Sequence, residues 1–231
     1  VVVGQVKQAD VLAMVKKYFS DWKRGDYTAR IPSEPAQDKP RTAHIDWASP
    51  TLPLVTVSYR SPAYSDTKKD KAALDLLSII AFGENSDIYQ KLVLEEQKVD
   101  FVAAGSEDHV DPELFAVYSR VKKQEDVDYV RDEILKTYKH YTEVLIPQKK
   151  LDETRMRLRY GFAMAMNSND AIASAIAPYI NLRRTPETAN KLFDLIENLT
   201  PADIRDAARQ YFTENNQTIV TLSYKKQGGG E

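Results

Sequence analysis

Cysteine is absent from this 231-residue chain, which removes disulfides, thiolate zinc sites and cysteine nucleophiles together and suits an oxidising or a reducing compartment equally. Histidine is scarce: His44, His109 and His140 are the only 3, and no two of them lie within a helical turn of each other. An excess of one charge is lacking too. Lys and Arg number 32 against 34 Asp and Glu, and the two signs alternate rather than cluster, so there is no electrostatic footprint for nucleic acid. No apolar run approaches the ~20 residues a membrane-spanning helix needs. The densest, residues 74–82, is short and broken by polar positions. The chain opens Val1-Val2-Val3-Gly4 with neither an initiator Met nor a basic leader. A secretory signal is therefore expected to be absent or already removed, and the chain reads as beginning inside a strand. What remains is ordinary globular composition, 42% apolar and 29% charged, enough for one large domain or two small ones.

The pattern predicts a strand over residues 1–6 and a helix over 9–22, where Val11, Leu12, Val15, Tyr18, Phe19 and Trp22 recur at helical spacing. Pro32, Pro35 and Pro40 then mark a linker, since each fixes its own φ and extends the residue before it. Residues 41–47 alternate, with Ala43, Ile45 and Trp47 on one side and Thr42, His44 and Asp46 on the other, as in a strand with one wet face. A second strand covers 54–59. A helix over 68–82 carries Ala72, Leu76, Ile79 and Ile80 as its inner stripe and stops at Gly83, and Ser86 caps a further helix running to about residue 97. Residues 101–105 and 114–121 read as an antiparallel pair around Asp111-Pro112, and Val127, Val130, Ile134, Tyr138, Tyr141 and Leu145 mark a strongly amphipathic helix. Four more helices are expected over 149–166, 170–181, 186–199 and 201–212, the last with Thr200 as N-cap, Pro201 in its first position and Asp203 completing a capping-box pattern. A strand over 218–224 and a flexible tail over 225–231 finish the chain. Strands grouped early, helices grouped late and a returning strand describe an α+β fold, a mainly antiparallel sheet with helices packed on one face.

Three segments carry a family resemblance. VVVGQVKQADVLAMVKKYFSDW, the block VTVSYRSPAYSDTKKDKAALDLLSIIAFGENSDIYQKLVLEEQKVDF and LTPADIRDAARQYFTENNQTIVTLS follow one another as they do in the insulinase/pitrilysin zinc metallopeptidases, or inverzincins. The chain resembles the second, non-catalytic C-terminal half of the two-half members, over residues 1 to about 224. The resemblance implies a LuxS/pitrilysin-like half. Residues 1–30 would be the closing strand and helix of the preceding half, 31–40 a linker, and 41–224 the second half. It further implies a bilobal clamshell in which a catalytic half, on the same or a partner chain, carries zinc on an inverted H-x-x-E-H helix and faces this half across a chamber for a peptide substrate. A bacterial envelope or periplasmic location is what the family suggests. No H-x-x-E-H occurs here, so this segment is expected to bind no zinc and to be inactive alone. Many active members contribute an Arg and a following Tyr from this half, and those positions fall on Val93 and Asp100, which do not match. Val cannot donate a guanidinium's hydrogen bonds, and Asp puts negative charge where a phenol would assist an oxyanion. The alternative reading is a non-peptidase scaffold or assembly subunit with the same fold.

Other candidates weigh less. Glu107, Asp108, His109 and Asp111 offer ligand chemistry at short spacing, but turn text of this kind is usually a solvated hairpin loop. Glu95 and Glu96 are adjacent, so their side chains point apart on a helix. Tyr59, Arg60 and Tyr64 sit near a strand end, but with 13 tyrosines in the chain core packing is the better expectation. The same holds for Met156, Tyr160, Phe162, Met164 and Met166, read as gap-filling between helices.

Overall fold

The computed structural model describes residues 1–28, 30–183 and 185–225. The chain begins as coil and turns, and helix α1 (Gln8–Phe19) follows. The strand expected over residues 1–6 does not form. A strand is fixed by its ladder of hydrogen bonds, and β-branched residues without a partner strand do not supply one. After the linker come β1 (Arg41–Trp47), β2 (Leu54–Arg60) and α2 (Lys69–Phe82). Helix α3 (Asp87–Tyr89) runs straight into a π-helical stretch (Gln90–Glu95), then β3 (Val99–Gly105) and β4 (Leu114–Val121). Four longer helices follow, α4 (Val127–Glu143), α5 (Gln148–Ala165), α6 (Asn169–Arg183) and α7 (Glu187–Glu197), and α8 (Pro201–Tyr211) leads into β5 (Gln217–Tyr224). The tail expected to be flexible lies, beyond Lys225, outside the described residues.

The five strands form one sheet in the order β1-β5-β2-β4-β3, with β1 parallel to β5 and every other pair antiparallel. Helices line one face, as the pattern predicted. Val55, Val57 and Tyr59 of β2, Phe115 and Val117 of β4 and Ile219 of β5 join Leu76, Leu77, Ile80, Val130, Ile134 and Ile204 in a single core. Tyr138 of α4 is the point where these layers meet. Its ring lies 4.7 Å from Tyr59, 5.0 Å from Phe82, 6.0 Å from Phe115 and 4.6 Å from Phe212. Its hydroxyl, fully enclosed, donates to the Val57 carbonyl at 3.1 Å. One side chain thus ties α4 to α2, to two strands and to the residue that ends α8. Burial drives its phenol pKa well above the ordinary 10.0.

The stop and cap signals act as the residues suggest, with one difference. Ser86 accepts a hydrogen bond from the Tyr89 amide, and Thr200 and Asp203 form the full capping box of α8. Lys69 donates to the Asp203 carboxylate at 2.9 Å and to the Asn198 carbonyl at 2.8 Å, so the start of α8 is held against the start of α2. Gly83 ends α2, but its φ is −71°, not left-handed. Its requirement is space, because a Cβ there would lie 2.5 Å from the Ile79 carbonyl oxygen.

Tyr138→Phe removes only the buried hydrogen bond and is expected to cost about 1 kcal/mol. Tyr138→Ala removes the ring as well and should cost about 3–5 kcal/mol. Urea unfolding of both variants measures this; equal losses would show that the ring does not join the layers.

Candidate functional site

The opposite face of the sheet is the first surface that stands out. Strand register puts Ala43, Ile45 and Trp47 of β1 beside Val220, Leu222 and Tyr224 of β5, and Leu54 and Thr56 of β2 beside Leu222 and Val220. Leu114 and Tyr118 of β4 continue the stripe. The apolar side of β1 therefore points away from the helices, the reverse of a strand whose apolar side is covered. Trp47 and Tyr118 are each 50% exposed. Helix α1 adds a second uncovered surface, for Leu12, Val15 and Phe19 on its apolar side remain exposed; the helix stops at Phe19, short of the expected residue 22, and Trp22 beyond it is exposed too and touches Phe19 edge to face at 5.1 Å.

At one end of the sheet face the linker crosses. Arg60 donates to the Pro35 carbonyl at 2.5 Å and pairs with Glu34 at 3.3 Å, and the Gln37 amide donates to the Gln217 carbonyl at 2.7 Å. A cleft of about 530 Å³ lies there, lined by Glu34, Gln37, Arg41, Arg60, Glu113 and Thr218. Arg60 thus holds the linker, while Tyr59 and Tyr64 are buried core residues.

The helical side of the sheet carries Lys71 and Asp75, ionisable groups that sequence reasoning missed, beside Asp108, which it read as part of a solvated hairpin loop. Lys71 is 1% exposed in mid-core, with its ammonium 2.6 Å from Asp75 and 2.8 Å from Asp108. Burial alone would lower the Lys71 pKa, but the two carboxylates outweigh it and raise it. Burial pushes Asp75 up to about 6, with Lys71 opposing the shift and Asp108 adding to it. A third of the Asp75 side chain still meets solvent, at an open cleft between α2, α5, α6 and α7. An isolated acid inside the apolar run AALDLLSII is the signal that could have found this cluster.

The other candidates separate. In the loop after β3, His109 lies 3.2 Å from Glu107 and 3.1 Å from Glu113 at the surface, whereas Asp108 turns inward to Lys71. Asp111 stays exposed. Glu96 accepts from the Tyr129 hydroxyl at 2.9 Å and is not paired with Glu95. Val93 lies in the π-helical stretch and packs against the core, and Asp100, at an irregularity in the β3–β4 ladder, holds Arg120 at 2.7 Å. Met156, Tyr160 and Met164 are exposed along α5, not core as expected; the inward residue of that segment is Phe162, whose ring meets Phe193 at 4.7 Å.

His44 holds a separate polar cluster: Nδ1 lies 2.7 Å from the Thr221 hydroxyl, and Nε2 lies 3.2 Å from the Ser223 hydroxyl and 3.5 Å from Asp46. Asp46 is also held by Lys225 at 2.8 Å, and the group is an exposed polar ladder joining β1 to β5. Among the described residues no three His, Asp or Glu side chains are placed to hold a metal ion. The donor set here does not fit a zinc site. Among the same residues no helix is long and apolar enough to cross a membrane.

Residues 1–158 match the family described as the peptidase M16 inactive domain. A protease from Helicobacter pylori superposes with a TM-score of 0.84 at 24% identity, over 96% of this chain and 54% of its own. A peptidase M16 inactive domain structure from Pseudomonas fluorescens gives 0.80 at 16% identity, over 98% and 53%. The periplasmic protease PqqL from Escherichia coli gives 0.74 at 14%, over 96% of this chain and 25% of that one. This chain spans about half the length of the first two. No curated protein matches it.

Because Lys71 opposes the shift of Asp75, Lys71→Met is expected to raise the Asp75 pKa further above about 6, as read by carboxyl carbon NMR titration. The folded state holds this proton more tightly than the unfolded chain, whose ordinary value is 3.8. Stability should therefore fall as pH rises from about 4 to about 6, and this contribution should be level above that. A downward shift in the variant would contradict the assignment.

Proposed function

The chain belongs to the peptidase M16 inactive-domain family, and we propose that it serves as the non-catalytic C-terminal half of an insulinase-type peptidase, closing a peptide-binding chamber over a catalytic half outside this chain. Zinc, its ligands and the group that activates water would belong to that other half. The observation that carries this reading is the pair of uncovered apolar surfaces. A sheet face with Ile45, Trp47, Tyr118 and Leu222 along it, rimmed by Arg60 and the linker, suits an extended peptide, which offers alternating side chains and backbone polar groups. Helix α1, amphipathic but without an apolar partner among the described residues, suits packing against the preceding half, so residues 1–30 are assigned there and residues 31–40 join the two.

The contribution of this half to catalysis would be enclosure and positioning, not a reacting group. Closing the chamber excludes water and orients the peptide, and neither task needs a titratable side chain. Val93 and Asp100 support the same division, since one is half-buried against the core and the other is engaged with Arg120. They also favour the second reading, a scaffold or assembly subunit of the same fold whose parent does not cleave peptides.

The chain alone is expected to bind no stoichiometric zinc and to leave an unstructured fluorogenic peptide intact, while adding an active catalytic half restores zinc-dependent cleavage. Zinc-dependent hydrolysis by the chain alone would overturn the proposal. Zinc binding without cleavage by the assembled halves would select the scaffold.

A further inference from the structure

The sheet ends on two edges, β1 and β3, and they are finished differently. Strand β3 is interrupted by an irregularity between Val99 and Phe101, the kind of bulge that blunts an edge. Strand β1 has no such device. Its ladder with β5 runs without a break from Arg41 to Trp47, it holds no proline or lysine, and all 7 of its residues are exposed. Among the described residues its backbone is bonded to β5 and, through the Trp47 carbonyl, to the Lys225 amide. The outer edge of the strand therefore presents amides and carbonyls without a ladder partner. A straight, uncovered edge of this length is a template for one more strand.

The order RTAHIDW fits that strand to a copy of itself. A two-fold axis through His44 sets a second β1 antiparallel to the first. Arg41 then faces Trp47 of the other copy, Thr42 faces Asp46, Ala43 faces Ile45, and the two His44 side chains meet at the axis. On the open side of the sheet this puts a guanidinium on an indole and a small side chain beside a branched one. On the other side a hydroxyl donates to a carboxylate, and no Arg meets Arg and no Asp meets Asp. Moving the axis to a neighbouring residue leaves part of the strand without a partner. A peptide of arbitrary sequence would meet the same backbone groups but not this set of side chains.

We propose that β1 pairs antiparallel with β1 of a second copy of this chain, centred on His44, so that one sheet runs through both chains. The pairing uses the edge alone and leaves α1 and the open sheet face clear, so it does not rest on the role proposed above for either. One strand pair is a small interface, and the dimer is expected to be weak, with a Kd of about 1–100 µM.

Sedimentation of the chain up to about 500 µM, combined with single-cysteine trapping, tests it. The absence of cysteine makes each introduced thiol the only one. Under mild oxidation His44→Cys should cross-link to itself. Thr42→Cys should not, because its two copies lie about 13 Å apart along the strands, yet it should cross-link when mixed with Asp46→Cys. His44→Lys and His44→Glu, which set like charges opposite each other, should each weaken self-association about tenfold, and mixing the two should restore it. A chain that stays monomeric throughout the range would overturn the proposal. So would Thr42→Cys cross-linking to itself as readily as His44→Cys, or unchanged self-association in both charged variants.

Discussion

Tyr138 reaches from α4 onto the sheet, packs against four aromatic rings and donates its hydroxyl to the Val57 carbonyl, and the rest of the architecture depends on that one-sided contact. A sheet has two faces, and the helices that pack around Tyr138 cover only one of them. Aromatic packing of this kind adds roughly 0.5–1.5 kcal/mol per pair beyond area burial, so the helical layer is stabilised without any help from the other side. The open face is then free to carry residues chosen for something else. Ile45, Trp47, Leu114 and Tyr118 sit there, exposed and apolar, beside an equally uncovered α1.

Charge is distributed by the same logic. The surface ion pairs of α4 and α8, such as Arg131 with Asp128 and Arg205 with Asp206, are solvated and contribute little. Lys71 with Asp75 and Asp108 is different in kind, because burying charges is costly unless each is paired. An apolar replacement would pack the same volume more simply. Asp75 and Asp108 each keep about a third of their side chains in solvent, and only the Lys71 ammonium is fully enclosed.

Much of this was legible in the residues. The spacing of Val127, Val130, Ile134 and Tyr138 marks α4 and its buried side, and Thr200-Pro201 with Asp203 marks the start of α8, because helical periodicity and capping are local effects. The helix-on-one-face α+β architecture and the family resemblance were readable for the same reason. Features set by distant partners were not. Residues 1–6 carry β-branched side chains, but a ladder partner is a tertiary matter. Alternation in β1 shows two kinds of face without saying which one the helices cover, and the answer, Ala43, Ile45 and Trp47 on the open side, depends on register with β5. Met156, Tyr160 and Met164 recur at a spacing that fits a buried helix stripe or an exposed one equally well. Lys71 and Asp75 at four residues apart resemble a solvated helix pair, and only the loop bearing Asp108 folds them inward.

The central claim is that α1 packs against another half of a peptidase, while the open sheet face lines the chamber between the two halves. The chain holds 2 tryptophans, and they report on one surface each: Trp22, 78% exposed, at the end of α1, and Trp47 on the open sheet face. Tryptophan emission and acrylamide quenching, recorded with single Trp→Phe variants before and after the catalytic half is added, test the claim most directly. The account predicts a blue shift and reduced quenching for Trp22 on assembly, and for Trp47 when an uncleavable peptide is added to the assembled halves. A complex that forms while both tryptophans keep their solvent-exposed emission would contradict it.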